Sequence, residues 1–120
     1  MSNRSISHIE IPAQKRPEMA KFYEQIFGWK IEHMDAKGMP YSIWQSGNVR
    51  GGFPEIGVEA KAGKIVLYLD SDDIEADLEL INTHGGKTLK GKTEIPGIGW
   101  YAEFADPSGN HMALHMRMKR

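Results

Sequence analysis

The sequence predicts an α+β domain built from two βαβββ modules, and three observations predict it. First, a displacement of 58 residues lays the chain on itself, with Ile9 on Leu67, Ile11 on Leu69, Ala20 on Leu78, Tyr23 on Ile81, Gly28 on Gly86 and Ile31 on Leu89. Second, each copy passes from strand-like alternation through an amphipathic helical stretch to a glycine, then back to strand-like alternation. Third, the displacement grows to 62 further along, where Ser46-Gly47-Asn48 falls on Ser108-Gly109-Asn110. Two copies are too few for a solenoid, so a single closed domain is expected. It divides into module one at about 5–54, a linker at 55–63 and module two at about 64–117. Two equivalent half-sheets of this kind are expected to enclose a cleft.

In module one, Ser7 to Ile11 alternates as a strand, with Ile9 and Ile11 on one face and His8 and Glu10 on the other. Pro17 suits a first helical turn. Met19, Ala20, Tyr23, Ile26 and Phe27 have the spacing of one helical face, and Gly28 ends the helix. Trp29 to Met34 is a second strand, Lys37 to Pro40 a turn, Tyr41 to Gln45 a third strand and Arg50 to Phe53 a fourth. In module two, Ile65, Leu67 and Leu69 share one strand face, while Val66 and Tyr68 share the other. Asp72 with Glu75 reads as a capping box, and Ile74, Leu78 and Ile81 form the helical face behind it. His84-Gly85-Gly86 stops that helix. Lys87 to Leu89 and Trp100 to Phe104 are strands around a Thr93–Gly99 loop. Asp106 to Asn110 is a dense turn signal, and His111 to Met116 is the last strand.

Composition narrows the function classes. Hydrophobic residues make up 40% and charged residues 26%, as in ordinary soluble globular proteins. A net charge of -1 argues against a nucleic-acid surface, so the basic stretches at Lys87–Lys92 and Arg117–Arg120 read as solvated. The absence of cysteine removes disulfides, thiolate metal sites and a Cys nucleophile. The longest apolar run, Ile65 to Leu69, is far short of the roughly 18 residues a membrane helix needs. Nothing after Met1 reads as a signal segment, so a cytoplasmic protein that meets neither membrane nor nucleic acid is expected. No Ser-His-Asp order and no phosphate loop is present.

Three stretches carry a resemblance: His8-Ile9-Glu10-Ile11, Ala20-Lys21-Phe22-Tyr23 running to Phe27-Gly28-Trp29, and Asp106-Pro107-Ser108-Gly109-Asn110 leading to Leu114. Together they span nearly the whole chain, and their pattern resembles the vicinal oxygen chelate superfamily of glyoxalase I, bleomycin-resistance proteins and extradiol dioxygenases. The resemblance implies a glyoxalase/bleomycin resistance-like fold, with mostly antiparallel sheets forming a U-shaped cleft in which a divalent metal can chelate two substrate oxygens. It also implies that modules pair within or between chains, hence an expected homodimer.

Metal-dependent members take one ligand from each of four equivalent strand positions. By resemblance these fall on His8, Val66, Ala113 and, at the displacement of 62, Gly51. Only His8 can ligate, whereas catalytic sites generally have about three protein ligands. No cofactor is therefore expected, although a displaced divalent-metal site from His8, Glu10 and His111 stays open. His111 and His115 are about 13 Å apart on an extended strand and do not share an ion. Alternation places His8, Glu10, Tyr68, His111, Ala113 and His115 on the cleft face. Trp44 and Trp100 stay open between core and ligand contact, while Trp29, His33 and His84 read as structural or surface residues. Asp106 is expected to cap its turn and Glu103 to be solvated.

Three functions follow. The leading one is a protein that binds a small organic molecule through His8, Glu10, Tyr68, Trp44, Trp100, His111 and His115, with the usual metal site mostly lost. The second is a metal-dependent lyase, isomerase or dioxygenase using a rearranged set around His8 and Glu10, with those two as the catalytic candidates. The third is a non-catalytic interaction subunit.

Overall fold

The computed structural model describes residues 4–34, 40–57 and 61–118. In chain order the elements are β1 (Ile6–Glu10), α1 (Arg16–Phe27), β2 (Lys30–Met34), β3 (Tyr41–Ser46), β4 (Val49–Phe53), β5 (Val66–Asp70), α2 (Ile74–Thr83), β6 (Lys87–Ile95), β7 (Gly99–Ala105) and β8 (His111–Arg117). This is βαβββ followed by βαβββ, as expected. The chain forms two compact units: one runs from His8 to Val66, and the other runs from Leu67 onward and takes in the segment up to Ser7. Among the described residues no helix is long and apolar enough to cross a membrane.

The first unit orders its strands β2-β3-β4-β1, and the second repeats that order as β6-β7-β8-β5. In each, the outer pairs are antiparallel, and the first strand of the module runs parallel to its last. Each unit has its own core, because one sheet face and one helix stripe are apolar and cover each other. In the first unit Ala13, Trp44 and Phe53 are buried, with Ile9, Ile11, Met19, Tyr23, Trp29 and Ile31 packed around them. In the second, Ile74, Leu78, Ala102, Phe104 and Leu114 are buried under Leu69, Ile81, Trp100, Met112 and Met116.

Local chemistry sets the ends of the helices. Pro17 lies in the first turn of α1, and Gly28 closes the helix at φ 71°, a left-handed conformation open to glycine at little cost. The side chain that caps α2 is Asp73, which accepts from the Ala76 amide at 3.1 Å, one residue later than the expected Asp72. The shift arises because the Ser71 hydroxyl accepts the Asp73 amide, carrying the turn one residue further.

Other expectations also change. Ile26 and Phe27 are more than half exposed, since Tyr23 and Trp29 stack at 4.4 Å and fill the space beneath the helix. Ile65 precedes β5 and is exposed. β6 continues through Thr93 to Ile95, leaving only a tight turn in which the Ile98 amide donates to the Ile95 carbonyl. Register shifts on either side of Lys90 keep this long edge strand paired to β7. The expected turn residues Lys37, Gly38 and Met39 lie outside the described residues.

Candidate functional site

Strand alternation in the first unit is as expected. Ile9 and Ile11 pack into the core, so His8 and Glu10 point to the face away from α1. In β3 the buried Trp44 fixes the parity, which puts Tyr41 on the same face as His8 and Glu10. These three side chains form one cluster. The Tyr41 hydroxyl donates to Glu10 Oε2 at 2.9 Å and lies 2.8 Å from His8 Nε2. A phenol has a single proton. Because it goes to Glu10, the contact with His8 is completed by the Nε2–H tautomer of the imidazole. His8 Nε2 and Glu10 Oε2 are 3.6 Å apart, and both side chains are about one quarter exposed, at 28% and 24%.

The phenol has room because Gly52 lies beneath it. A Cβ on Gly52 would collide with the Tyr41 hydroxyl, whereas one on Gly51 would collide with the Trp44 indole and the Ile9 carbonyl. Gly51 therefore faces the helix layer, and Gly52 faces the polar cluster. Register gives the same result: Glu10, Gly52 and Ile43 form one row across β1, β4 and β3, and Tyr68, Ala113 and Glu103 form the matching row across β5, β8 and β7. The repeat-mate of Ala113 is thus Gly52, one residue from the expected Gly51, because the displacement along these strands is shorter than the turn residues suggest. By the same rows, Tyr41 corresponds to Tyr101.

In the second unit the equivalent face carries different chemistry. Tyr101 accepts from Lys90 Nζ at 2.6 Å, and that ammonium also stands 5.0 Å from the ring centre. His111 Nε2 meets Glu103 Oε1 at 2.6 Å, so Glu103 has a partner rather than being merely solvated. Tyr68 pairs in register with Ala113, and His115 with Tyr101. The two open tryptophans belong elsewhere. Trp44 is core, at 2% exposure, with its indole N–H donating to the Gly52 carbonyl at 3.2 Å. Trp100 packs on the α2 side, beneath Lys92, in an open pocket of about 410 Å³ with Asp72, Asp73, Glu75, Met116, Arg117 and Met118. Neither lies on the outward sheet face of its own module, because both have the parity of the core.

Several polar contacts were not read from the sequence. Buried Ser42 is held between Arg16 Nη1 at 2.9 Å and His33 Nδ1 at 2.6 Å, so His33, although exposed, has a structural bond. Arg4 clamps Asp77 with two bonds of 2.6 and 2.9 Å, and Ser71 donates to the same carboxylate. The Arg4 guanidinium holds the Asp77 carboxyl below its usual range, with Ser71 assisting against the opposing effect of burial. Asp106 caps its turn as expected, and bonds from Asn110 keep its pKa low.

This fold and these sheet faces define a class. A family model of the Glyoxalase/Bleomycin resistance protein/Dioxygenase superfamily matches residues 5–114, and the chain belongs to that superfamily. It is similar to a glyoxylase-like domain-containing protein from Didymella fabae, with 34% identity over 93% of each chain. Among solved structures it is similar to a hypothetical protein from Bacillus halodurans C-125, with a TM-score of 0.76, 12% identity and coverage of 99% of this chain and 98% of that one. It is also similar to methylmalonyl-CoA epimerase from Mycobacterium tuberculosis, with a TM-score of 0.69, 11% identity and coverage of 95% and 88%. At these identities the solved structures speak for the α+β fold alone.

Members of the superfamily often use a divalent metal. The inherited positions in this chain, Val66, Gly52 and Ala113, have no ligating atom to add to His8, so they do not fit the usual four-ligand ion. Among the described residues, no three His, Cys, Asp or Glu side chains gather to hold one.

Proposed function

We propose that the protein binds a small organic molecule through the His8–Tyr41–Glu10 face of module one, without the superfamily's usual four-ligand ion. The observation that carries this reading is the Tyr41 hydroxyl held between an imidazole and a carboxylate over a glycine. Small-molecule sites are mainly apolar with a few placed polar groups that fix orientation, and this cluster is such a group. Its partial exposure leaves it reachable. The proposal extends to Tyr68, His111 and His115 on the corresponding sheet face of module two as further ligand contacts. It also keeps the expected homodimer.

The test is calorimetric titration of chelator-treated protein with small dicarbonyls, catechols and aromatic antibiotics. Calorimetry is preferable to tryptophan fluorescence because Trp44 and Trp100 belong to core layers. A His8→Ala/Glu10→Ala double variant should stay folded and lose at least about tenfold in affinity, as expected for about 1.4 kcal/mol or more of lost polar contact. Ligands whose affinity ignores the double change would remove the basis of this reading.

A further inference from the structure

We infer that module two fixes the class of the organic ligand: an aromatic ring with a carboxylate at one end and a hydroxyl at the other. The inference rests on the organic-ligand reading above and narrows it. Two unused hydrogen-bonding groups on the outward face of module two carry it. Glu103 Oε1 lies 2.6 Å from His111 Nε2. A carboxylate only accepts, so it fixes the proton of the neutral imidazole on Nε2 and leaves Nδ1 as a bare acceptor. The Tyr101 hydroxyl already accepts from Lys90 Nζ at 2.6 Å, so its own proton is left for another acceptor. Among the described residues neither His111 Nδ1 nor the Tyr101 proton has a further partner, and the His111 side chain is 40% exposed.

Spacing and charge turn these two groups into a specificity. Tyr101 and Glu103 share one face of β7, two residues and therefore about 7 Å apart. Oxygens on neighbouring carbons are too close together to meet both ends, whereas groups on opposite sides of a benzene ring match the span. Charge sets the direction. The Lys90 ammonium beside Tyr101 favours an anionic acceptor there, and the Glu103 carboxylate disfavours one at the His111 end. The carboxylate of the ligand therefore accepts from Tyr101, and its hydroxyl donates to His111 Nδ1. A rigid ring holds the two groups apart without the rotor entropy that a flexible hydroxy acid loses on binding.

The experiment is calorimetric titration of the protein with 4-hydroxybenzoate, 2-hydroxybenzoate, benzoate and 4-hydroxybenzamide. The 4-hydroxy acid should bind at least about tenfold more tightly than each of the other three, the scale of one placed hydrogen bond to a charged or fixed group. Tyr101→Phe should lower affinity for 4-hydroxybenzoate at least about tenfold. His111→Leu should make that acid no better a ligand than benzoate, with folding of both variants checked by circular dichroism. A 2-hydroxy isomer that binds as tightly as the 4-hydroxy acid would overturn the inference. So would 4-hydroxybenzoate binding that survives both variants unchanged, because the acid would then sit elsewhere. Failure of wild type to bind 4-hydroxybenzoate overturns it as well. If a dicarbonyl, catechol or antibiotic then still binds and needs His8 and Glu10, the organic-ligand reading stands alone; if no compound of either series binds, both fall.

Discussion

Module one stacks aromatic rings where module two packs aliphatic chains, although the two share one strand order. In the first, Tyr23, Trp29 and Trp44 form a continuous stack with ring centres 4.4 Å apart at each step, and Phe53 closes it against Tyr23. In the second, Ile74, Leu78 and Leu114 fill the same layer around Phe104. The outward faces differ as well. Tyr41 stands between His8 and Glu10, whereas its repeat-mate Tyr101 is held by Lys90. The duplication thus preserves backbone register and the in–out parity of each strand, while the chemistry on each face diverges. One phenol sits between an imidazole and a carboxylate, and the other beside a lysine ammonium.

The largest effect that tests this comparison is on the cores. Trp44→Ala should cost about 3–5 kcal/mol, the range for deleting a buried large aromatic, because the residue is fully covered and centres the stack. Trp100→Ala should cost only about half as much, since one side of its ring faces the open pocket under Lys92. Urea unfolding of both variants provides the measurement. Equal losses would mean that the two tryptophans are equivalent and that the contrast between the cores is misread.

A second, intermediate effect concerns how each module anchors its polar groups near its helix. Module two uses a carboxylate, Asp77, clamped by Arg4 and Ser71. Module one uses a neutral hydroxyl, Ser42, between Arg16 and His33. Asp77 has a folded pKa depressed chiefly by the bond from Arg4. Its contribution is therefore present above the unfolded value near 3.9 and is lost as pH falls through the lower folded value. Asp77→Asn should cost about 1–3 kcal/mol at neutral pH, the scale of an unmet buried hydrogen bond to a charged group. It should also flatten the loss of stability below about pH 4. An unchanged acid profile in the variant would show that other carboxylates control it.

The order of elements was legible because hydrophobic period and glycine stops are local signals. Parity in β1 and β8 was legible too, since Ile9 and Leu114 had to face a helix. Tyr41 was not singled out, although the same reasoning reaches it once Trp44 is known to be core. That fact depends on packing with Trp29 and Tyr23, which no alternation rule supplies. The displacement between copies was taken from the Ser-Gly-Asn turns, which differ in length, so the glycine under the phenol was placed one residue early. Contacts between residues distant in sequence, such as Arg4 with Asp77, leave no periodic trace. Neither does a partner such as Lys90, which reaches Tyr101 from a strand that runs longer than its β-propensity suggests.

The smallest effect compares the carboxylates on the outward faces. Glu103 meets His111 at 2.6 Å, yet the histidine is 40% exposed and the carboxylate 24% exposed. Pairs this close to solvent are screened and contribute at most about 1 kcal/mol, so Glu103→Gln should lower stability by less than that. Glu10→Gln should be just as mild, because the amide can still accept from Tyr41 through its oxygen and the side chain keeps its shape. Stability alone will not separate the two residues, but binding should. If the His8–Tyr41–Glu10 cluster is the polar end of the ligand site, Glu10→Gln should weaken an organic ligand severalfold, and Glu103→Gln should do so less or not at all. A ligand titration in which Glu103→Gln has the greater effect would shift the polar end of the site to module two and its His111–Glu103 pair.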